Sequence, residues 1–275
     1  MSVTAGYGAV VIDALLAKHP LPEAAATDDH VFATWAATVA GERLLQVRAE
    51  GLEGKALKDA GDAAAHDLLM ELVARYRPED DVLSEEGKDN PNRLLADRVW
   101  IIDPLDGTRE FSEPPRDDWA VHVALWSSAD NGTLVAGAVA QPVLGETFNT
   151  GAAPVVPPRS APKVRIAVSR SRPPAFVEAL AAALDAELVP MGSAGVKMMS
   201  VVRDVADAYV HAGGQYEWDS AAPVAVARAA GLFTSRVDGS ELRYNQADVY
   251  LPDLIVCRPE LAEDILAFIA EHGTD

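Results

Sequence analysis

A single cysteine, Cys257, in a chain of 275 residues rules out an intramolecular disulfide and a cysteine-built zinc centre, and it suits a reducing compartment. Basic residues are scarce too: 23 Lys and Arg face 42 Asp and Glu, for a formal charge of −19. A phosphate backbone is bound by cations that displace its counterions, and no basic cluster stands out of this acidic background, which argues against a nucleic-acid polymer as partner. There is no run of about 18 apolar residues, so no segment is expected to span a membrane. The first Lys or Arg is Lys18, and Asp13 interrupts the apolar stretch before it. That is the wrong pattern for a secretory signal, and a cytoplasmic location is the expectation. The six histidines (His19, His30, His66, His122, His211 and His272) form no HxH or HExxH pattern, and ordinary core or surface placement is expected for all of them. What remains is globular in composition, 49% hydrophobic and 24% charged, and long enough for one large domain or two smaller ones.

Along the chain, residues 1–26 end in a Pro- and Ala-rich piece and read as a loose lead-in. From Asp28 or Asp29 as N-cap, Phe32, Ala36, Val39, Ala40 and Val47 recur at helical spacing up to Gly51 and Gly54. Ala65, Leu69, Leu72, Val73 and Tyr76 mark a second helix closed by Pro78. Short apolar runs follow at 82–83, 99–102, 120–126 and 134–140, separated by turn dipeptides such as Asn131-Gly132 and Leu144-Gly145. They predict a meandering, largely antiparallel sheet. Pro154, Pro157, Pro158 and Pro162 then suggest a stiff connection. Beyond it strand and helix patterns alternate, as in an α/β unit. The expected division is therefore 27–155, helices plus antiparallel sheet, and 156–275, an α/β domain.

The most informative stretch is Trp100-Ile101-Ile102-Asp103-Pro104-Leu105-Asp106-Gly107-Thr108. An apolar strand runs into Asp103, Pro104 stops it, and a second carboxylate follows three positions later. Singly, each pair is the signature of a turn. Together, two carboxylates this close repel one another unless a cation lies between them, which points to a divalent-metal site. With no soft donors at hand, the hard oxygen ligands point to magnesium. Glu85-Glu86 and Asp219 are further candidate donors; the alternatives for them are a solvated loop charge and a helix N-cap.

The strings LSEEG, WIIDPLDGT and EWDSAAPVAVARAAG, in that order, resemble the magnesium-dependent, lithium-sensitive superfamily of inositol monophosphatases, fructose-1,6-bisphosphatases and bisphosphate nucleotidases. Within it, DPLDGTREF, VSRS at 168–171, GSAGVKMMSVVRDVADAYVH at 192–211 and RYNQADVYLPD at 243–253 resemble the CysQ-type, nucleotide-acting branch. The resemblance implies a layered αβαβα fold. It also implies removal of the 3′-phosphate from 3′-phosphoadenosine 5′-phosphate, and of the same group from its sulfated precursor, in sulfate assimilation.

By the same resemblance, Glu85, Asp103 and the Leu105 carbonyl are ligands of one Mg²⁺, and Asp103, Asp106 and Asp219 of a second. Thr108, oriented by Asp62, helps activate the attacking water. The segment around Lys58-Asp59-Ala60-Gly61-Asp62 is shorter than the family pattern and lacks its threonine, which leaves Asp59 as a competitor to Asp62. Gly107 and Thr108 present amides to the phosphate if a helix starts there. Gly192, Ser193 and Lys197 lie near the substrate, and Arg170 with Ser169 and Ser171 meets the 5′-phosphate. The implied partner is a small anionic phosphorylated nucleotide, and dimers are common among relatives. Inositol monophosphate or fructose 1,6-bisphosphate hydrolysis keeps the same metals and changes the leaving group. A non-catalytic metal- or nucleotide-binding module is the alternative of a different class.

Overall fold

The computed structural model describes the backbone of residues 3–171 and 173–274, with side chains for 11–129, 131–171 and 173–274. Most of the segment read as a loose lead-in is instead helical: α1 spans Val3–Lys18 and a short 3-10 turn covers Glu23–Ala26, while residues 1 and 2 lie outside the described residues. Its Leu15 and Leu16 are buried in the main hydrophobic cluster and Ile12 packs against it, so an apolar i, i+3, i+4 face outweighs the single Asp13. Helix α2 (Asp29–Ala49) begins where Asp28 accepts the amides of His30 and Val31 at 2.8 and 3.2 Å, satisfying two of the free N–H groups of the first turn. Gly54 opens α3 (Gly54–Tyr76) rather than ending the helix before it.

The first sheet runs β1 (Asp81–Ser84), β2 (Arg98–Asp106), β3 (Ala120–Ser127), β4 (Thr133–Gln141) and β5 (Glu146–Asn149) in that order, with a short helix α4 (Thr108–Phe111) after β2. Only the β1–β2 pair is parallel. The Pro-rich stretch 150–164 carries no helix or strand. After it come β6 (Arg165–Ser169), α5 (Ala175–Ala183), β7 (Glu187–Met191), α6 (Ala194–Val202), β8 (Ala208–Ala212), α7 (Glu217–Ala229), β9 (Phe233–Ser235), β10 (Asp253–Cys257) and α8 (Ala262–His272). The second sheet has the order β7-β6-β8-β10-β9.

Alternation along each strand sends neighbouring side chains to opposite faces and so builds the layers. On β2, Trp100 and Ile102 join the cluster made by α2 and α3, while Val99 and Ile101 join a second cluster with α6 and α7. On β10, Leu254 and Val256 face that same central helical layer, whereas Ile255 and Cys257 face α5 and α8. The stack is therefore helices, sheet, helices, sheet, helices, an αβαβα α/β fold. Each sheet is covered on both faces, which is why β2 and β3 read as nearly unbroken apolar runs. Among the described residues no helix is long and apolar enough to cross a membrane.

Candidate active site

Strand pairing brings the acidic residues together. In the parallel β1–β2 pair Ser84 lies opposite Ile102, so the chain enters Glu85 beside Asp103, and Asp103 lies opposite His122 of β3. Asp103 and Asp106 are three apart and would point to opposite faces of a regular strand. Between them three steps on β2 match two on β3, because Asp103 pairs with His122 and Asp106 with Ala120. This bulge, at the residue that has no N–H to give, restores the face. Atoms of Asp103, Asp106 and His122 consequently lie within 4.8 Å of one another, all three residues buried.

The carboxylates have different environments. Asp106 accepts Ser193 Oγ at 2.5 Å, the Ala194 amide at 3.1 Å and the Gly195 amide at 2.6 Å, the last two at the N-terminus of α6. Burial pushes its pKa up, but the His122 ring, Ser193 and the Gly195 amide prevail and bring it down to about 2. Asp103 has the Leu105 amide at 3.0 Å, and burial together with the charges of Glu85, Asp106 and Asp219 holds its carboxyl well above the usual range. Glu85 is pushed up to about 7 by burial and by Asp219, Asp106 and Glu86, although it accepts stabilisation from Asp103. Asp219, in the first turn of α7, accepts the Tyr216 amide at 2.7 Å and is raised to about 6 by burial and by Asp106. Carboxylates gathered this closely, with Asp103 and Asp106 buried, fit a divalent cation, because hard oxygen donors without a counter-charge are costly to bury.

Thr108 opens α4, and Gly107, at φ +86°, is its N-cap; a Cβ there would lie 3.1 Å from Ser193 Cβ and 3.2 Å from the Asp118 carbonyl. The chain thus turns sharply at a residue that adopts this backbone without steric cost. The Thr108 hydroxyl reaches Asp62 Oδ1 at 3.2 Å and the Leu105 carbonyl at 3.1 Å. Burial first, then the Glu86 charge, raises Asp62 to about 6 against the effect of Thr108. Asp59, one helical turn earlier, is on the surface and bonded to Lys55 at 2.6 and 2.7 Å.

A cavity of about 550 Å³ opens beside Asp106 and Asp219, lined also by Gly107, Ser169, Ser193 and Lys197. Lys197 is buried, with Nζ on the Ser193 carbonyl at 2.7 Å and over the Tyr209 ring at 5.3 Å, and burial lowers its pKa. Of the residues expected at the substrate, Thr108, Arg170, Ser171 and Gly192 are not among those lining this cavity. Arg170 is held by Glu110 at 2.8 Å and Glu113 at 3.1 Å, and Gly192 gives its amide to Asp118 at 2.6 Å; neither lines the cavity. Two histidines expected to be ordinary are not: His122 lies in the acidic cluster and His211 in the cavity wall. The signal for His122 was its place in the strand that pairs with the DPLD strand, visible only once register is known.

A sequence model of the inositol monophosphatase family matches residues 29–273. The 3′-phosphoadenosine 5′-phosphate phosphatase of Mycobacterium tuberculosis is 53% identical over 242 residues, 84% of this chain and 90% of that one. The 3′(2′),5′-bisphosphate nucleotidase CysQ of Escherichia coli is 32% identical over 207 residues, 70% and 81% of the two chains. Among solved structures, CysQ from Bacteroides thetaiotaomicron superposes with a TM-score of 0.69 at 27% identity, covering 84% of this chain and 97% of that one. On its fold, its ordered motifs and these relatives, the chain belongs to the inositol monophosphatase family.

Proposed function

We propose that this phosphatase hydrolyses the 3′-phosphate of 3′-phosphoadenosine 5′-phosphate to give AMP and inorganic phosphate, and acts likewise on the sulfated form, in sulfate assimilation. The observation that carries the reading is the cavity that opens from Asp106 and Asp219 and holds the buried Lys197, about 550 Å³ and within the range of about 300–1,000 Å³ usual for small-molecule sites. The named activities of the relatives support the nucleotide as substrate.

Glu85, Asp103, the Leu105 carbonyl, Asp106 and Asp219 would hold two Mg²⁺ ions, which supply positive charge against the phosphoryl oxygens and lower the pKa of bound water. The chain's own groups do the rest. Thr108 gives its hydroxyl hydrogen toward Asp62, leaving its lone pairs to orient the attacking water. With its pKa raised to about 6, Asp62 is suited to take a proton relayed through Thr108 Oγ1 near neutral pH. The water oxygen bonds to phosphorus, the bond to the ribose 3′ oxygen breaks, and that oxygen is protonated from solvent. Gly107 and Thr108 offer amides at the start of α4, and Lys197 offers a cation to the anionic substrate. Gly213 and Gly214, where a Cβ would meet nothing within 4 Å, leave the cavity rim open for the 5′ substituent.

The test is to incubate the protein with 3′-phosphoadenosine 5′-phosphate and identify the nucleotide product by chromatography, with and without a chelator. Formation of 5′-AMP that stops with chelation and resumes with added Mg²⁺ is expected. Formation of 3′-AMP, or turnover indifferent to chelation, would refute the reading.

A further inference from the structure

His122 is fully buried in β3 between Val121 and Val123, and no step above uses it. A polar ring in such a strand is costly unless it makes contacts worth its desolvation. Its ring touches three elements. Nδ1 lies 3.2 Å from the Trp218 carbonyl, one residue before Asp219, and because a carbonyl can only accept, Nδ1 is the donor. Nε2 lies 3.2 Å from Asp106 Oδ2, off the line of a hydrogen bond, and it holds that carboxylate when Nε2 as well as Nδ1 carries hydrogen. On the third side stands Gly195, where a Cβ would run into the ring and come within 3.1 Å of Asp106 Oδ2. The helix end that gives its amide to Asp106 can approach only because residue 195 has no side chain.

These contacts join residues from separate layers. Asp106 belongs to the first sheet, and Asp219 to a helix of the central layer with its own bond to Tyr216. We propose that His122 is a positioning residue that locks Asp106 to the first turn of α7 and so sets the separation at which Asp106 and Asp219 face one divalent cation. The inference rests on the metal reading given under Proposed function and deepens it. Partners that orient a metal ligand from behind typically change affinity by about 10–100-fold when removed, and that is the size of effect expected.

The test uses the full chain with Mn²⁺ as the probe, titrated by calorimetry into the metal-free protein and into His122→Leu and His122→Asn, with circular dichroism and thermal unfolding as the check on folding. For folded His122→Leu, one class of Mn²⁺ sites is expected to weaken by about 10–100-fold while any other class is unchanged. In His122→Asn a side-chain donor to the Trp218 carbonyl returns, and affinity should lie between the two. At saturating metal, KM for the nucleotide should stay near its wild-type value. Wild-type Mn²⁺ affinity in folded His122→Leu would overturn the proposal. Should that variant not fold, wild-type affinity in His122→Asn overturns it equally. Absence of Mn²⁺ binding by the unsubstituted protein would instead overturn the metal reading, and this inference with it.

Discussion

Asp103 and Asp106 sit three residues apart in one cluster, yet neutralising each should have opposite consequences for the metal-free protein. Asp106 is tied by three donors, Ser193 Oγ and the amides of Ala194 and Gly195, and its pKa of about 2 means that the ionised form is the favoured one. In Asp106→Asn the amide oxygen can keep Ser193 and Gly195, but the NH₂ group then faces the Ala194 amide. A buried donor left without an acceptor costs about 1–3 kcal/mol. At about 2–4 °C per kcal/mol for chains of roughly this size, the melting temperature in chelator should fall by several degrees.

Asp103 is different, since burial and three neighbouring carboxylates already disfavour its charge. Asp103→Asn keeps an oxygen for the Leu105 amide, 3.0 Å away, and removes the repulsion, so in chelator its melting temperature should be unchanged or higher. Both substitutions should nevertheless lower kcat/KM at least 100-fold, a loss of about 2.7 kcal/mol of transition-state stabilisation. The assays are differential scanning calorimetry in chelator and steady-state kinetics with Mg²⁺. Equal destabilisation by the two substitutions, or kcat/KM retained within tenfold in either, would refute the reasoning.

Asp62→Asn should lower kcat by about 100-fold with little change in KM, whereas Asp59→Asn, which loses an exposed pair with Lys55, should stay near wild type; kinetics of the two side by side decide between them. In chelator, stability should fall as pH rises from about 4 to about 7. Glu85 (about 7), Asp219 (about 6) and Asp62 (about 6) all titrate above their ordinary values, so over this window the native state binds more protons than the unfolded one. Added divalent metal should therefore raise the melting temperature more at pH 7.5 than at pH 5, which thermal unfolding at the two pH values checks.

Much of this was legible from local pattern. The capped start of α2, the apolar run into Asp103 and the proline-dense connection between the sheets each follow from side-chain period or backbone restriction, and the structure places them where those rules require. What was not legible depends on register and on what lies behind a residue. The bulge at Pro104 that puts Asp103 and Asp106 on one face, and the row formed by Glu85, Asp103 and His122, exist only after three strands pair. The charge of Arg170 is visible in the sequence, whereas Glu110 and Glu113, which pair with it, become its neighbours only in the fold. Helix α1 was obscured because Asp13 and the following Pro20 and Pro22 masked a short apolar face.

The central claim, that the metal-bearing acidic cluster serves a bisphosphate nucleotide, is tested most directly by comparing kcat/KM for 3′-phosphoadenosine 5′-phosphate, inositol 1-phosphate and fructose 1,6-bisphosphate on one preparation with Mg²⁺. The account predicts a clear preference for the nucleotide. Equal or faster turnover of the inositol or sugar phosphate would contradict it.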